Sequence, residues 1–139
     1  MAVVAGMVTL LLVEDDPDAG EAAREALAGA GFQVEVASDA AQALARLERE
    51  AFGALVVDLG LPGLGGADLL DRLRADPRHR DLPIVIHTAS PMTAALRPRL
   101  AAASGVVEKA GRTAPLLEAL ERALASRPGQ ASALWLLEP

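Results

Sequence analysis

The sequence of 139 residues contains no cysteine, no tyrosine and only three aromatic side chains, two Phe and one Trp. Without cysteine the chain can form neither disulfides nor thiolate metal sites, and it has no thiolate nucleophile. No stretch reaches the about 18 consecutive apolar residues that a membrane-spanning helix needs. The apolar start lacks a basic segment and a cleavage site, so no signal peptide is predicted. We therefore expect a cytoplasmic protein that does not insert into membranes.

Basic residues are also scarce, because 13 Lys and Arg face 19 Asp and Glu, for a formal net charge of −6. Binding to nucleic acid or to anionic lipid requires clustered cations that neutralise phosphates. The composition therefore argues against both kinds of partner. It favours proteins or a small cation instead. A chain of this length forms one domain with a core that needs no disulfide or structural metal.

Apolar segments of strand length alternate along the chain with longer segments of helical period. The predicted strands are 9–13, 33–36, 54–57, 84–87 and 105–107. The predicted helices are 18–30, 40–50, 67–75, 92–103 and 114–126. This alternation is typical of an α/β fold, in which a doubly wound parallel sheet carries helices on both faces. We predict one domain over residues 8–126, with an N-terminal extension at 1–7 and an apolar tail at 127–139.

Several residues predict where these helices begin and end. Asp16 followed by Pro17 is typical of a helix N-terminus, Asp39 can cap the second helix, and Gly31 can end the first in a left-handed conformation. Pro98 falls inside the fourth predicted helix. A proline in a helix interior costs about 3 kcal/mol. The fourth helix is therefore expected to be broken or kinked.

Polar side chains collect where the predicted strands end. Glu14 and Asp15 follow the first strand, Asp58 the third, Thr88 the fourth and Lys109 the fifth. The carboxyl ends of parallel strands share one edge of the sheet, which is where ligands bind in open α/β folds. Crowded carboxylates repel one another unless a cation such as Mg²⁺ neutralises them. A carboxylate beside Mg²⁺ can also accept a phosphoryl group, and Lys109, the single lysine, supplies a compact charge for its oxygens.

Four segments of the chain resemble the receiver domain of two-component response regulators. They are LLLVEDDPDAGEAAREALAGAGF, ALVVDLGLPGLGG, LLDRLRADPRHRDLPIVIHTAS and SGVVEK, and they span nearly all of residues 8–126. The resemblance implies the flavodoxin-like strand order 2-1-3-4-5. It also implies a Mg²⁺ site built from Glu14 through water, Asp15, Asp58 and the backbone carbonyl of Gly60.

The same resemblance implies how the domain works. Asp58 would accept a phosphoryl group from the phosphohistidine of a histidine kinase or phosphotransfer protein. The Thr88 hydroxyl would move towards that group, and Lys109 would form an ion pair with it. These changes would alter a surface that a downstream protein recognises. The chain would not be an enzyme beyond self-catalysed transfer and autodephosphorylation. Since the tail is short for a DNA-binding effector, we expect a stand-alone receiver or a relay module.

The chain departs from the receiver pattern at several positions. Ala110 and Gly111 stand where a proline and an aromatic residue usually follow the lysine, and Val106 replaces a switching aromatic residue. Gly60 replaces a larger side chain, and Pro98 interrupts a helix of the usual output face. These departures favour a second hypothesis, a receiver-like adaptor that works without phosphorylation. A Mg²⁺-dependent phosphohydrolase and an FMN-binding flavodoxin-like protein are further alternatives, but the cap and the phosphate loop they need are not visible.

Other polar residues have simpler interpretations. Asp15 and Asp16 can act as capping acids, and Lys109 can be an ordinary surface lysine. His87 is interpreted as a partly buried strand-end residue and not as a metal ligand, and His79 as a solvated loop residue. The apolar tail, which contains the single tryptophan, is expected to pack near the fourth and fifth helices or on a second copy to form a homodimer.

Overall fold

The structure is a computed structural model that describes residues 8–89, 93–109 and 113–126. Five parallel strands form one sheet: β1 Thr9–Val13, β2 Gln33–Ala37, β3 Ala54–Val57, β4 Ile84–Thr88 and β5 Gly105–Glu108. Five helices connect or follow them: α1 Pro17–Gly29, α2 Ala40–Arg49, α3 Gly66–Ala75, α4 Leu96–Arg99 and α5 Ala114–Ala125. The strand order β2-β1-β3-β4-β5 confirms the predicted topology. The predicted extension at 1–7 and tail at 127–139 lie outside the described residues.

Alternating strand residues bury two separate clusters, one on each face of the sheet. Leu11, Leu55 and Ile86 point to the face covered by α2 and α3. Leu12, Val56 and Val85 belong to the cluster that includes residues of α1 and α5. Since both sides of β1, β3 and β4 are buried, their sequences are almost continuously apolar, which is the pattern expected of a covered parallel sheet. No helix in the described ranges is long and apolar enough to cross a membrane.

The predicted helix caps are present in the structure. The Asp16 carboxylate accepts a hydrogen bond of 3.0 Å from the Asp18 amide at the start of α1. The Asp39 carboxylate accepts one of 2.7 Å from the Gln42 amide at the start of α2. Gly31 follows α1 with a φ of 105°, a conformation that residues with a β-carbon rarely adopt. These three positions fix the turns that deliver β1 and β2 to neighbouring places in the sheet.

The fourth helix is much shorter than predicted, and the expectation of a helix ending at residue 103 is wrong. Within the described residues 93–103 only Leu96–Arg99 is helical, and Pro98 occupies the first turn of that helix. A proline is tolerated there because its missing N–H would have no acceptor within the helix. The amide of Leu100 bonds to the carbonyl of Leu96, after which Ala101 and the next residues form turns. Buried Leu100 anchors this short segment to the α2 and α3 side of the core.

A half-buried arginine on α3 holds two connections in place, and the sequence analysis did not predict this role. The Arg74 guanidinium donates hydrogen bonds to the carbonyls of Leu82, at 2.7 Å, and of Arg80, at 3.1 Å, before β4. Its Nε donates to the carbonyl of Ala102, at 2.8 Å, before β5. These carbonyl oxygens therefore accept the hydrogen bonds that water would accept from an exposed guanidinium. Arg74 thereby links the starts of two adjacent strands.

His79, in the loop that follows α3, is not the solvated residue that its polar sequence context suggests. Its side chain is only 14% exposed, and its Nδ1 atom lies 3.3 Å from the Asp76 carboxylate. Among the described residues that nitrogen has no hydrogen-bond partner. The turn that includes Asp76 folds the histidine under the loop, a tertiary effect that composition does not reveal.

Candidate functional site

The register of the central strands brings two carboxylates side by side. Val13 of β1 is paired with Val57 of β3, so the next residues, Glu14 and Asp58, leave the sheet together. The Asp58 amide bonds to the Val13 carbonyl at 3.0 Å, which extends the pairing beyond the last strand residue. Both side chains therefore start from main chain that the sheet holds in place.

Glu14, Asp15 and Asp58 form the candidate metal site. One carboxylate oxygen from each residue lies within 4.8 Å of those of the others. The Glu14 side chain is 5% exposed and that of Asp58 is 16% exposed, whereas Asp15 is exposed. Oxygen ligands at this spacing suit a hard divalent cation that keeps part of its water shell, as Mg²⁺ does. The residues present therefore fit the predicted ion.

Lys109 joins this group from the far end of the sheet. Its Nζ atom lies 2.5 Å from Glu14 Oε1 and 3.7 Å from Asp58 Oδ2. Its amide bonds to the Thr88 carbonyl at 2.7 Å, which continues the pairing of β5 with β4. The ammonium is thus placed between two carboxylates by regular sheet geometry. The interpretation of Lys109 as an ordinary surface lysine is wrong.

The crowding of these groups shifts their proton affinities. Burial raises the pKa of Glu14, the hydrogen bond from Lys109 opposes that rise, and the nearby Asp58 adds to it. Burial lowers the pKa of Lys109, but its hydrogen bond to Glu14 and the charge of Asp58 outweigh this, so the pKa is raised overall. The Lys109 ammonium therefore stays charged at neutral pH.

Two glycines shape the loop that follows Asp58. The Gly60 amide donates a hydrogen bond of 3.2 Å to Asp58 Oδ1, so the loop turns back over the carboxylate. A β-carbon on Gly66 would lie 2.4 Å from the Asp58 carbonyl oxygen, closer than real contacts allow. Gly66 is thus needed where α3 begins against this loop. Sequence reasoning missed that role, although the repeated glycines of GLPGLGG were the available signal.

The remaining predicted residues lie on β4. Thr88 is 1% exposed and is paired in register with Glu108. His87 is half-buried and, with Asp58 and Lys109, contributes to the lining of one cavity. Burial and the Lys109 charge lower the pKa of His87, against the opposing effect of Asp58. In the described part of the chain His87 is not among the residues that could share the metal with the three acids.

Comparison with known proteins shows which family shares this fold. Residues 10–121 match the family described as response regulator receiver domain. The chain is 34% identical to the response regulator Rre1 of Synechocystis over 87 residues, which are 62% of this chain and 38% of that protein. It is 40% identical over 80 residues, 58% of this chain, to an uncharacterized 14.6 kDa protein of Leptolyngbya boryana, and the match spans 61% of that protein. The chain thus covers less than two thirds of either relative.

Solved structures share the whole fold. A sensor protein from Polaromonas is 34% identical with a TM-score of 0.77, and the alignment covers 85% of this chain and 96% of that one. The chemotaxis response regulator CheY4 of Vibrio cholerae is 25% identical with a TM-score of 0.76, covering 84% of this chain and 98% of that one. Since the family model matches most of the chain and the strand order agrees with it, the chain belongs to the response regulator receiver domain family.

Proposed function

We propose that this domain accepts a phosphoryl group on Asp58 from the phosphohistidine of a histidine kinase or phosphotransfer protein. The observation that carries the proposal is the position of the Lys109 ammonium, 3.7 Å from Asp58 Oδ2 at an otherwise acidic edge. Asp58 is also partly exposed, as a nucleophile that meets a donor protein must be. Receiver domains as a family are signalling phosphoacceptors and not classical enzymes.

In the transfer step, an oxygen of Asp58 forms a bond to phosphorus while the bond from phosphorus to the imidazole nitrogen breaks. The electron pair of that bond stays on the imidazole, which takes up a proton and leaves. Lys109 offsets negative charge on the transferring oxygens, which is the main contribution a protein makes to phosphoryl transfer. The Gly60 amide already donates to Asp58 and helps to hold its carboxylate in one orientation.

Glu14, Asp15 and Asp58, with the backbone carbonyl of Gly60, would hold the Mg²⁺ ion. Glu14 would act through water, as the family resemblance implies. The ion, when bound, supplies positive charge that brings the phosphoryl oxygens and the acceptor carboxylate together. Exposed Asp15 can reach such an ion from the solvent side, whereas buried Glu14 is already bonded to Lys109.

The main chain offers a route from the acceptor to a protein-binding surface. Lys109 is tied to Thr88 through the hydrogen bond between its amide and the Thr88 carbonyl. A phosphoryl group that draws in the Lys109 ammonium and the Thr88 hydroxyl would therefore pull on β4 and β5 together. Val106 of β5 is 36% exposed, so this edge already presents an apolar side chain to a partner. We propose that a downstream protein binds at this edge of the sheet.

The test is incubation of the protein with acetyl phosphate and Mg²⁺, followed by intact-mass measurement. We expect the mass of one added phosphoryl group, and its absence from Asp58→Asn. The matched control is Asp81→Asn, which changes an exposed acid away from the acidic cluster. A parent protein that gains no phosphoryl group from acetyl phosphate or from any phosphohistidine donor would contradict the proposal and favour the phosphorylation-independent adaptor.

A further inference from the structure

An open groove of about 420 Å³ runs along the edge strand β5. Every residue of β5 lines one side of it, together with Ser104. The other side is one face of α5, because the residues that line it follow one another at helical spacing: Pro115, Glu118, Ala119 and Arg122. The groove is therefore as long as the strand, and it lies at an edge with which no described strand pairs.

The groove combines an apolar floor with a charged rim. Val106 is 36% exposed, and among the described residues Val36 of β2, at 38%, is the other exposed large apolar side chain. Ala119 adds apolar surface from α5. The side chains of Glu118 and Arg122 are mostly exposed and form the rim on the α5 side. Such a groove suits a side chain with an apolar body and a polar tip, such as tryptophan.

The tail 127–139 begins close to this groove. α5 ends one residue before Ser126, which is the last described residue. Arg122, which lines the groove, lies only one helical turn before that end. Residues 127–130 can extend over roughly 13 Å, about the length of a four-residue strand such as β5. The segment 131–137 is therefore within reach of the groove.

The composition of this segment favours a covered position. Residues 131–137 read ASALWLL and include the single tryptophan, Trp135, and three leucines. Large apolar side chains gain free energy when they leave water, and apolar patches that stay exposed cause association. The tether raises the local concentration of the segment around its own domain, which favours docking there over docking on a second molecule.

The position of α5 limits how the segment can bind. α5 packs on the same side of the sheet as α1, whereas α3 packs on the opposite side. A sixth parallel strand beside β5 would extend the sheet in the direction from β3 to β4, but its connecting helix would lie on the other face. Such a connection would be left-handed, which parallel sheets avoid. Contact is therefore expected through side chains and not through strand pairing.

We propose that residues 131–137 dock in the groove between β5 and α5, with the Trp135 indole against Val106 and Arg122. The indole would bury apolar surface on Val106 and lie over the Arg122 guanidinium. This docking requires no phosphoryl group. One consequence rests on the proposed function: the docked segment covers the edge at which the downstream protein would bind, so that protein has to displace it.

The fluorescence of Trp135 tests the docking, because the chain has no other tryptophan and no tyrosine. The experiment compares the full chain in buffer with the same chain in denaturant. We expect the folded chain to emit at a shorter wavelength, and acrylamide to quench it at least about threefold less efficiently, since a packed indole is shielded from solvent. Neither quantity should change with protein concentration, because the contact lies within one molecule.

Two matched variants locate the contact. Val106→Lys and Val36→Lys both change an exposed valine of an edge strand, but of these two residues Val106 alone lines the groove. Val106→Lys should raise the quenching of Trp135 towards its value in denaturant, whereas Val36→Lys should behave as the parent does. A third variant, Trp135→Ala, removes the ring current of the indole. It should shift the methyl resonances of Val106 and leave those of Val36 unchanged.

Three results would overturn the proposal. They are equal quenching of Trp135 in the folded and denatured chains, protection that appears only as protein concentration rises, and unchanged Val106 methyl resonances in Trp135→Ala. The first two do not depend on the folding of any variant. Phosphoryl uptake is measured on the same preparation. A phosphorylated protein with an exposed Trp135 refutes only this inference, and a protected Trp135 in a protein that is never phosphorylated refutes only the proposed function.

Discussion

The Nζ atom of Lys109 lies 2.5 Å from Oε1 of Glu14, although the two residues are 95 positions apart in the sequence. The chain has a single lysine, and this contact places it on a glutamate that is 5% exposed. Burial of that carboxylate is tolerated because the ammonium replaces the water it has lost. The same ammonium lies 3.7 Å from Asp58 Oδ2, so a change in the charge of the Asp58 side chain would change the force on it.

Replacement of Lys109 by methionine should destabilise the fold, because Glu14 would be left buried without its cation. We expect the free energy of unfolding at neutral pH to fall by about 1–3 kcal/mol, the typical cost of a buried polar group that has lost its partner. Chemical denaturation of the parent, of Lys109→Met and of the double variant that combines Lys109→Met with Glu14→Gln measures this free energy. The double variant should recover part of the loss. Equal stability of parent and Lys109→Met would show that the pair contributes nothing.

Stability should depend on pH through Glu14. Its pKa in the folded protein is raised above the ordinary value of 4.5, so the folded state binds this proton more tightly than the unfolded state. The contribution of Glu14 to stability is therefore fully present below pH 4.5 and is lost as pH rises through the raised folded pKa. Denaturation of the parent and of Glu14→Gln across this range tests the sign. The parent should lose stability relative to the variant as pH rises; a constant difference would contradict the prediction.

Asp58→Asn should abolish phosphoryl uptake and leave the fold intact. The substitution removes the nucleophile but keeps an oxygen that can accept the Gly60 amide. It also removes a neighbouring charge that raises the pKa of Glu14, so stability should be unchanged or higher by up to about 1 kcal/mol. Intact mass and thermal unfolding measure the two effects. Phosphoryl uptake at another carboxylate with the efficiency of the parent would disprove the assignment.

Millimolar Mg²⁺ should raise the unfolding temperature of the parent, because an ion that binds only the folded state stabilises it by mass action. Asp15→Asn should reduce this rise, since it removes one of the three clustered carboxylates. Asp18→Asn, a change of an exposed acid outside that cluster, is the control and should respond as the parent does. If Mg²⁺ changes the unfolding temperature of neither the parent nor Asp15→Asn, that result would argue against a metal site.

Arg74→Met should destabilise the protein by about 2–3 kcal/mol, because several carbonyls would lose a charged donor in a partly buried place. Arg72→Met changes an exposed arginine of the same helix and should have little effect. Equilibrium unfolding of both variants decides the matter. Similar losses of stability in the two variants would mean that water replaces Arg74 as the hydrogen-bond donor to these carbonyls without a cost in stability.

The predictable parts of the molecule are those governed by local pattern and by burial on both faces. The three central strands, β1, β3 and β4, are almost continuously apolar, so their positions follow from the sequence. Asp16 and Asp39 cap helices through contacts within three residues. α4 is different, because its length depends on where Pro98 falls in the first turn and on how Leu100 docks. Such docking depends on distant residues that no local pattern specifies.

The site shows the same division. The positions of Glu14 and Asp58 follow from strand ends, because parallel strands deliver their last residues to one edge. The pairing of Lys109 with Glu14 requires the three-dimensional arrangement of β1 and β5, because these strands are far apart in the sequence. His79 is the clearest case that the sequence does not predict, since its loop sequence is polar but its ring is mostly buried.

The close approach of Gly66 to the Asp58 carbonyl has a consequence for genetics. A β-carbon there would lie 2.4 Å from that oxygen, so even alanine would push the loop and its carboxylate outward. A screen for loss of signalling should therefore recover substitutions at position 66 as readily as substitutions of the charged residues. Such mutants would retain every reactive group, and their defect would lie in where Asp58 is held.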